Sequence, residues 1–171
     1  MVNDLVIIDM QTDFINPSIH KKLIGNISYL IRRAIRNEQN IFFVEFSGSG
    51  HTVRRLQEEA EQYENKHFVV KTGEDGSNEL RKTFKRLNIE PAKLDICGVH
   101  WNHCVFNTVT GLLKKNFFLN CYRWASNPEY HSTLDHRWFE IQASFGHQIK
   151  ITKEKPCPQL ESSHTSLMND L

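Results

Sequence analysis

"KLDICGVHWNHCVFNTV", Lys93–Val109, decides the fold. Its first half is a short, nearly continuous apolar run, the pattern of a strand buried on both faces. Gly98 lets the strand end turn sharply. Val105, Val109, Leu112 and Leu113 then recur at helical spacing. A strand therefore runs into a helix through a turn that carries His100, Trp101, His103 and Cys104. Strand followed by helix is the building step of a parallel α/β sheet.

The rest of the chain repeats that step. "DLVIIDM" is a buried strand ending in an acid, Asp9. In "HKKLIGNISYLIRRAIRN" the apolar residues Leu23, Ile27, Leu30, Ile31 and Ala34 make one face of a helix with a charged outer side. "NIFFVEF" is a second strand. Val53, Leu56, Ala60 and Tyr63 mark a helix after the flexible "GSGH". "HFVVK" is a third strand, ending at Lys71. "TGEDGSNELRKTFKRLNI" opens as a loop and becomes a helix with Leu80, Phe84 and Leu87 inward. After 93–113 come a strand, "NFFLNCYRW", a helix in "YHSTLDHRWFEIQASF" and a last strand, "HQIKIT".

This alternation predicts one doubly wound α/β domain over residues 1–153. The expected sheet has six mainly parallel strands in the order 3-2-1-4-5-6, with helices on both faces. Past Glu154 the periodicity fades, and 154–171 reads as an extended or disordered tail. The chain has 171 residues, ordinary for one domain. At 39% hydrophobic and 24% charged residues, a sizeable core is compatible with solubility.

A net charge of +1 with no one-signed run argues against a role in which bulk charge grips nucleic acid or a membrane surface. No apolar stretch approaches the ~20 residues of a membrane span. "MVNDLVIIDM" lacks the basic start and cleavage site of a signal peptide. Of the four cysteines, Cys97, Cys104 and Cys121 lie in or beside apolar runs, and Cys157 lies in the tail. With nothing else pointing to secretion, reduced thiols and a cytoplasmic location are expected.

In doubly wound sheets ligands gather beyond the carboxyl ends of the strands. Asp9, Lys71 and the 98–104 turn all fall on that edge. Each has a plain structural reading: a turn cap, a surface lysine, a core cysteine. Each also has a chemical one. An acid at the mouth of a buried strand gains basicity by desolvation. A lysine in a cleft favours neighbouring anions, and a cysteine in the first turn of a helix is favoured as thiolate. Backbone N–H groups of that turn can bind a developing oxyanion. No Gly-rich phosphate loop follows the first strand, where "DMQTDF" stands instead, which disfavours a nucleotide binder.

These residues also carry a family likeness. "VIIDMQTDF" resembles the amino-terminal signature of the isochorismatase-like cysteine hydrolases, the superfamily that includes nicotinamidases. "GVHWNHCVFNT" resembles their cysteine motif, and Lys71 falls where they keep a lysine. The likeness spans about residues 4–125. It implies Asp9 as base, Lys71 as electrostatic partner and Cys104 as nucleophile in hydrolysis of a small C–N bonded substrate through an acyl-enzyme. It also implies a cis peptide at Val99–His100 that aims the His100 N–H at the oxyanion.

Gln11, Phe14, Trp101 and His103 are the candidate substrate contacts. Phe14 and Trp101 have faces that stack on flat molecules, and both also suit packing or interfaces. His103 adjoins the nucleophile but points elsewhere on a helix. "GEDGSNEL" reads either as a cover over the site or as a surface turn.

The likeness breaks after the second strand. Nicotinamidases usually have an Asp-x-His metal pair there; this chain has "VEFSGSGHTV", with Glu45 and His51 as the nearest candidates. No metal and no other cofactor is therefore expected, and the substrate is read as a small amide, ureide or carbamate. The family's habit implies a homo-oligomer, dimer or tetramer, with Trp124, Trp138 and Phe139 as candidate interface aromatics. The competing reading is a catalytically silent member of the fold that serves as a binding or assembly module.

Overall fold

A computed structural model describes residues 3–127 and 135–156. The helix expected within 130–145 begins before the second of these stretches. Cys157 and most of the expected tail also lie outside the described residues.

The strands are β1 (Asp4–Ile8), β2 (Ile41–Phe46), β3 (Lys66–Lys71), β4 (Leu94–Gly98), β5 (Leu119–Ser126) and β6 (Ile149–Thr152). They form a single sheet in the order β3-β2-β1-β4-β5-β6, parallel at every pairing. That is the order expected from the alternation of elements. Helices α1 (Lys21–Arg36) and α2 (Arg54–Glu59) cover one face. Helices α3 (Ser77–Leu87), α4 (Phe106–Leu113) and α5 (Asp135–Phe145) cover the other.

The strands are apolar on both sides because both sides are covered. Along β1, Val6 and Ile8 pack into the core under α3, α4 and α5, while Leu5 and Ile7 pack under α1. Phe42 and Val44 alternate with Ile41 and Phe43 in the same way on β2. The helix after β2 is shorter than the sequence spacing predicts. It ends at Glu59, and Tyr63 follows in turns, donating its hydroxyl to the Gln39 carbonyl at 2.7 Å. Six residues of helix do not reach across edge strand β3, which leaves Phe68 and Val70 exposed. Trp138, an expected interface aromatic, is buried on Trp101, whereas Phe139 is exposed. No helix among the described residues is long and apolar enough to cross a membrane.

The central strand pair sets the position of everything catalytically interesting. β1 and β4 lie side by side with Ile8 opposite Gly98. A Cβ on Gly98 would stand 2.2 Å from the Ile8 carbonyl oxygen, and its φ of +143° is one that L side chains rarely adopt. Only glycine lets β4 end this close to β1. The carboxyl ends of β1, β2, β3 and β4 thus meet at one edge, with Asp9 one residue past β1.

Candidate active site

Asp9 leaves β1 in a left-handed conformation, φ 55°, while its N–H still bonds to the Val44 carbonyl at 2.9 Å. The tight exit turns its carboxylate under the sheet edge. Lys71 closes β3, and its stem passes beneath Gly76 and Val44 to reach β1. Its ammonium lies 3.1 Å from Asp9 Oδ2, and both side chains are 0% exposed. The same ammonium donates to the Gly73 carbonyl at 3.0 Å and lies 4.4 Å from the centre of the Phe46 ring. Cys104 interacts with both members of the pair. Three residues far apart in the chain are therefore brought together.

The turn before Cys104 differs from the expected geometry. Among the described residues no peptide bond is cis, so the Val99–His100 link is trans. Gly98 and a left-handed His100, φ 59°, reverse the chain instead. Val99 stays in the core under α1. Residues Trp101–Val105 form one π-helical turn, with the Val105 N–H bonded to the His100 carbonyl at 3.3 Å, and α4 continues from it. Single π turns inside helices recur at functional sites. Here the wider turn carries Cys104 towards Asp9.

A comparison within the molecule shows what is unusual about Asp9. Asp95, also buried, accepts hydrogen bonds from Arg33, Asn3, Asn120 and Tyr122. Asp9 has the ammonium and the thiol, and among the described residues neither of its oxygens has a well-directed hydrogen bond. Burial raises its pKa above the ordinary 3.8, with Lys71 and the Cys104 thiol acting in the opposite direction. Burial and the Asp9 carboxylate push the Cys104 thiol up to about 12, against the pull of Lys71. This reverses the expected thiolate. Burial and the carboxylate outweigh the lysine, so the resting sulfur is a thiol.

The thiol stands at the floor of a cleft of about 500 Å³ lined by Phe14, Phe46, Ser49, Glu74, His100, His103 and Cys104. Cys104 is 7% exposed, enough to present an edge of the side chain to this space while Asp9 and Lys71 stay behind it. Phe14 and His103, both candidate substrate contacts, line this cleft. The Phe14 ring meets His100 edge-on at 5.1 Å.

Two expected substrate contacts are placed elsewhere. Trp101 is 2% exposed, stacked on Trp138 at 3.9 Å, because the π turn points it under α5 and away from the cleft. Gln11 is 0% exposed and works as a strut. Its amide accepts from the Phe46 N–H at 2.6 Å and donates to the carbonyls of Phe46 and Gly50. It ties the β1 exit to the loop after β2. Phe46, Ser49 and Glu74 were missed as lining residues. Phe46 follows the strand-end logic that found Asp9 and Lys71, and the other two lie in the Gly-bearing loops after β2 and β3.

The Glu45 and His51 region does not fit a bound metal. Glu45 Oε1 accepts from the Thr52 N–H and hydroxyl, each at 2.8 Å, which commits the carboxylate. His51 lies 3.7 Å from the other oxygen and is well exposed. Among the described residues no three His, Cys, Asp or Glu side chains converge as a metal site.

No curated protein matches the chain by sequence. Solved structures do match its fold. The nicotinamidase of Staphylococcus aureus superposes with a TM-score of 0.73 at 18% identity, covering 88% of this chain and 99% of that one. N-carbamoylsarcosine amidase of Thermoplasma acidophilum gives 0.73 at 14%, covering 93% and 100%. The MAR1 ribonuclease of Caenorhabditis elegans gives 0.72 at 22%, covering 88% and 77%. The family model described as the isochorismatase domain matches residues 4–132, a span that takes in Asp9, Lys71 and Cys104, and the chain belongs to the isochorismatase family.

Proposed function

We propose that the protein hydrolyses a C–N bond of a small amide-type substrate, with Cys104 as nucleophile, Asp9 as base and Lys71 as the charge that holds Asp9 in place. The observation that carries this reading is the buried, under-bonded Asp9–Lys71 pair beside a thiol at a cleft floor. Such an arrangement costs stability, and buried groups perturbed in this way cluster at functional sites. The amidase and nicotinamidase among the structures of like fold support the same class of reaction.

The substrate carbonyl enters between Phe14 and Phe46 and approaches Cys104. As sulfur attacks the carbonyl carbon, its proton passes to the Asp9 carboxylate, whose raised pKa narrows the gap with the thiol. The backbone of the 98–104 turn, His100 included, faces the oxygen that gains charge. Collapse breaks the C–N bond, and Asp9 returns the proton to the leaving nitrogen, which departs as ammonia or an amine. A thioester remains on Cys104. Water then attacks it, giving its proton to Asp9, and the departing sulfur takes that proton back as the carboxylic acid leaves. The Lys71 ammonium, 3.1 Å from Asp9, stabilises each state in which Asp9 is ionised.

Ammonia release from a panel of small primary amides, ureides and carbamates tests the reading. The wild type is expected to turn over at least one class, with Cys104→Ala slower by at least ~10³-fold while folded. Equal rates in the two proteins would remove the thiol from the chemistry. Binding without turnover across the panel would instead favour the silent module.

A further inference from the structure

Among the described cleft residues, Glu74 is the only Asp, Glu, Lys or Arg. The nearest ammonium, Lys71, is 0% exposed and already engaged by Asp9 and the Gly73 carbonyl. Among its described residues the cleft therefore offers no lysine or arginine to receive an anionic group, and one carboxylate.

That carboxylate is held in position. Glu74 lies in the loop between β3 and α3, and the loop is pinned from both sides. Lys71 donates to Gly73, and the Gly76 N–H donates to the Thr108 hydroxyl on α4 at 3.0 Å. The side-chain amide of Asn107, also on α4, donates to Glu74 Oε2. A loop tied to the catalytic lysine and to the helix that follows the catalytic cysteine does not behave as a free surface turn. It sets a charge in the cleft that Phe14 and Cys104 also line.

We propose that Glu74 selects the substrate: the molecule hydrolysed carries a positively charged group, an ammonium or amidinium, a short distance from the scissile carbonyl. This rests on the amide-hydrolase reading above. An anionic neighbour of the carbonyl meets the Glu74 carboxylate and, among the described cleft residues, no lysine or arginine. A cationic one meets a carboxylate that takes a hydrogen bond from Asn107 at one oxygen.

Two readouts separate this inference from that reading. The first needs no turnover. Cys104 is labelled with trimethylammonioethyl or sulfonatoethyl methanethiosulfonate, each transferring its thioalkyl group to sulfur with release of methanesulfinate. Rates are read at the Cys104 peptide by mass spectrometry at about pH 8, above the ordinary imidazole range. Each is normalised to a free thiol. The cationic reagent is expected to be favoured by about tenfold, and Glu74→Gln to cut that preference by about three- to tenfold. Glu74→Lys is expected to reverse it, and added salt to compress it in the wild type. The second readout is the ratio of kcat/KM for a cationic primary amide over its neutral isostere, which Glu74→Gln should lower by a similar factor.

A labelling preference indifferent to Glu74→Gln and Glu74→Lys overturns the inference, whether or not amides are hydrolysed. A preference that responds to both variants, with no amide hydrolysed, upholds the charge selection and removes the amide as the substrate.

Discussion

Asp9 and Cys104 settle each other's protonation. Both are buried, so each resists becoming charged, and the proton stays on sulfur because the carboxylate beside it opposes a second negative charge. The sequence points to a thiol activated in advance by a helix end and a lysine. The geometry gives a thiol held protonated by burial and the carboxylate, which on the proposed mechanism is activated only as it attacks. Alkylation by iodoacetamide distinguishes the two. With the thiol near 12, its rate at Cys104 should rise about tenfold per pH unit from neutrality to about pH 10, with no plateau. A plateau below the ordinary thiol range of ~8.5 would mean that the thiolate is already formed.

At the scale of the element, the decisive piece is the passage from β4 through the π turn into α4. Gly98 brings the strand within van der Waals contact of Ile8, and His100 turns the chain so that Cys104 faces Asp9. Gly98→Ala would force a Cβ into the Ile8 carbonyl at a φ alanine rarely adopts. Urea unfolding should show a loss of more than ~3 kcal/mol, or no folded protein. A loss under ~1 kcal/mol would show that the two strand ends do not meet so closely. This passage was legible in outline. The apolar run, the glycine and the helical spacing of Val105, Val109 and Leu112 mark strand, turn and helix. The π turn was not legible, because its one-residue widening leaves no periodic trace over five residues. That is why Trp101 reads as a pocket wall and is found stacked beneath α5. Gln11 misleads for a similar reason. A polar residue two positions past the candidate base Asp9 looks like a ligand contact, and only the fold shows that the Phe46 and Gly50 backbone engages it.

For the whole molecule, strand–helix alternation and chain chirality left a few topologies, and the edge that collects Asp9, Lys71 and Cys104 was readable because it is the carboxyl end of the strands. The cleft's outer wall was not. Ser49 and Glu74 sit in loops, whose side chains no periodicity constrains. The fold carries its site at a cost in stability. Asp9 has a raised folded pKa, so its contribution is greatest below the ordinary carboxylate value of 3.8 and is lost as pH climbs through the raised one. At neutral pH the buried ion pair is a liability. Asp9→Asn or Lys71→Met alone leaves one group buried without its partner and should cost about 3–5 kcal/mol. The double variant removes both charges, and urea unfolding at neutral pH should find it as stable as the wild type or up to about 4 kcal/mol more stable, though inactive. A double variant as weak as either single one would show that the pair is structural.

The central claim is that sulfur forms a covalent bond to the substrate's acyl carbon with Asp9 as base. Acid quenching during turnover, followed by mass analysis of the Cys104 peptide, tests it most directly. The account predicts an acyl thioester on Cys104 in the wild type and none in Asp9→Asn. Steady turnover with an unmodified Cys104, undiminished in Cys104→Ala, would contradict it.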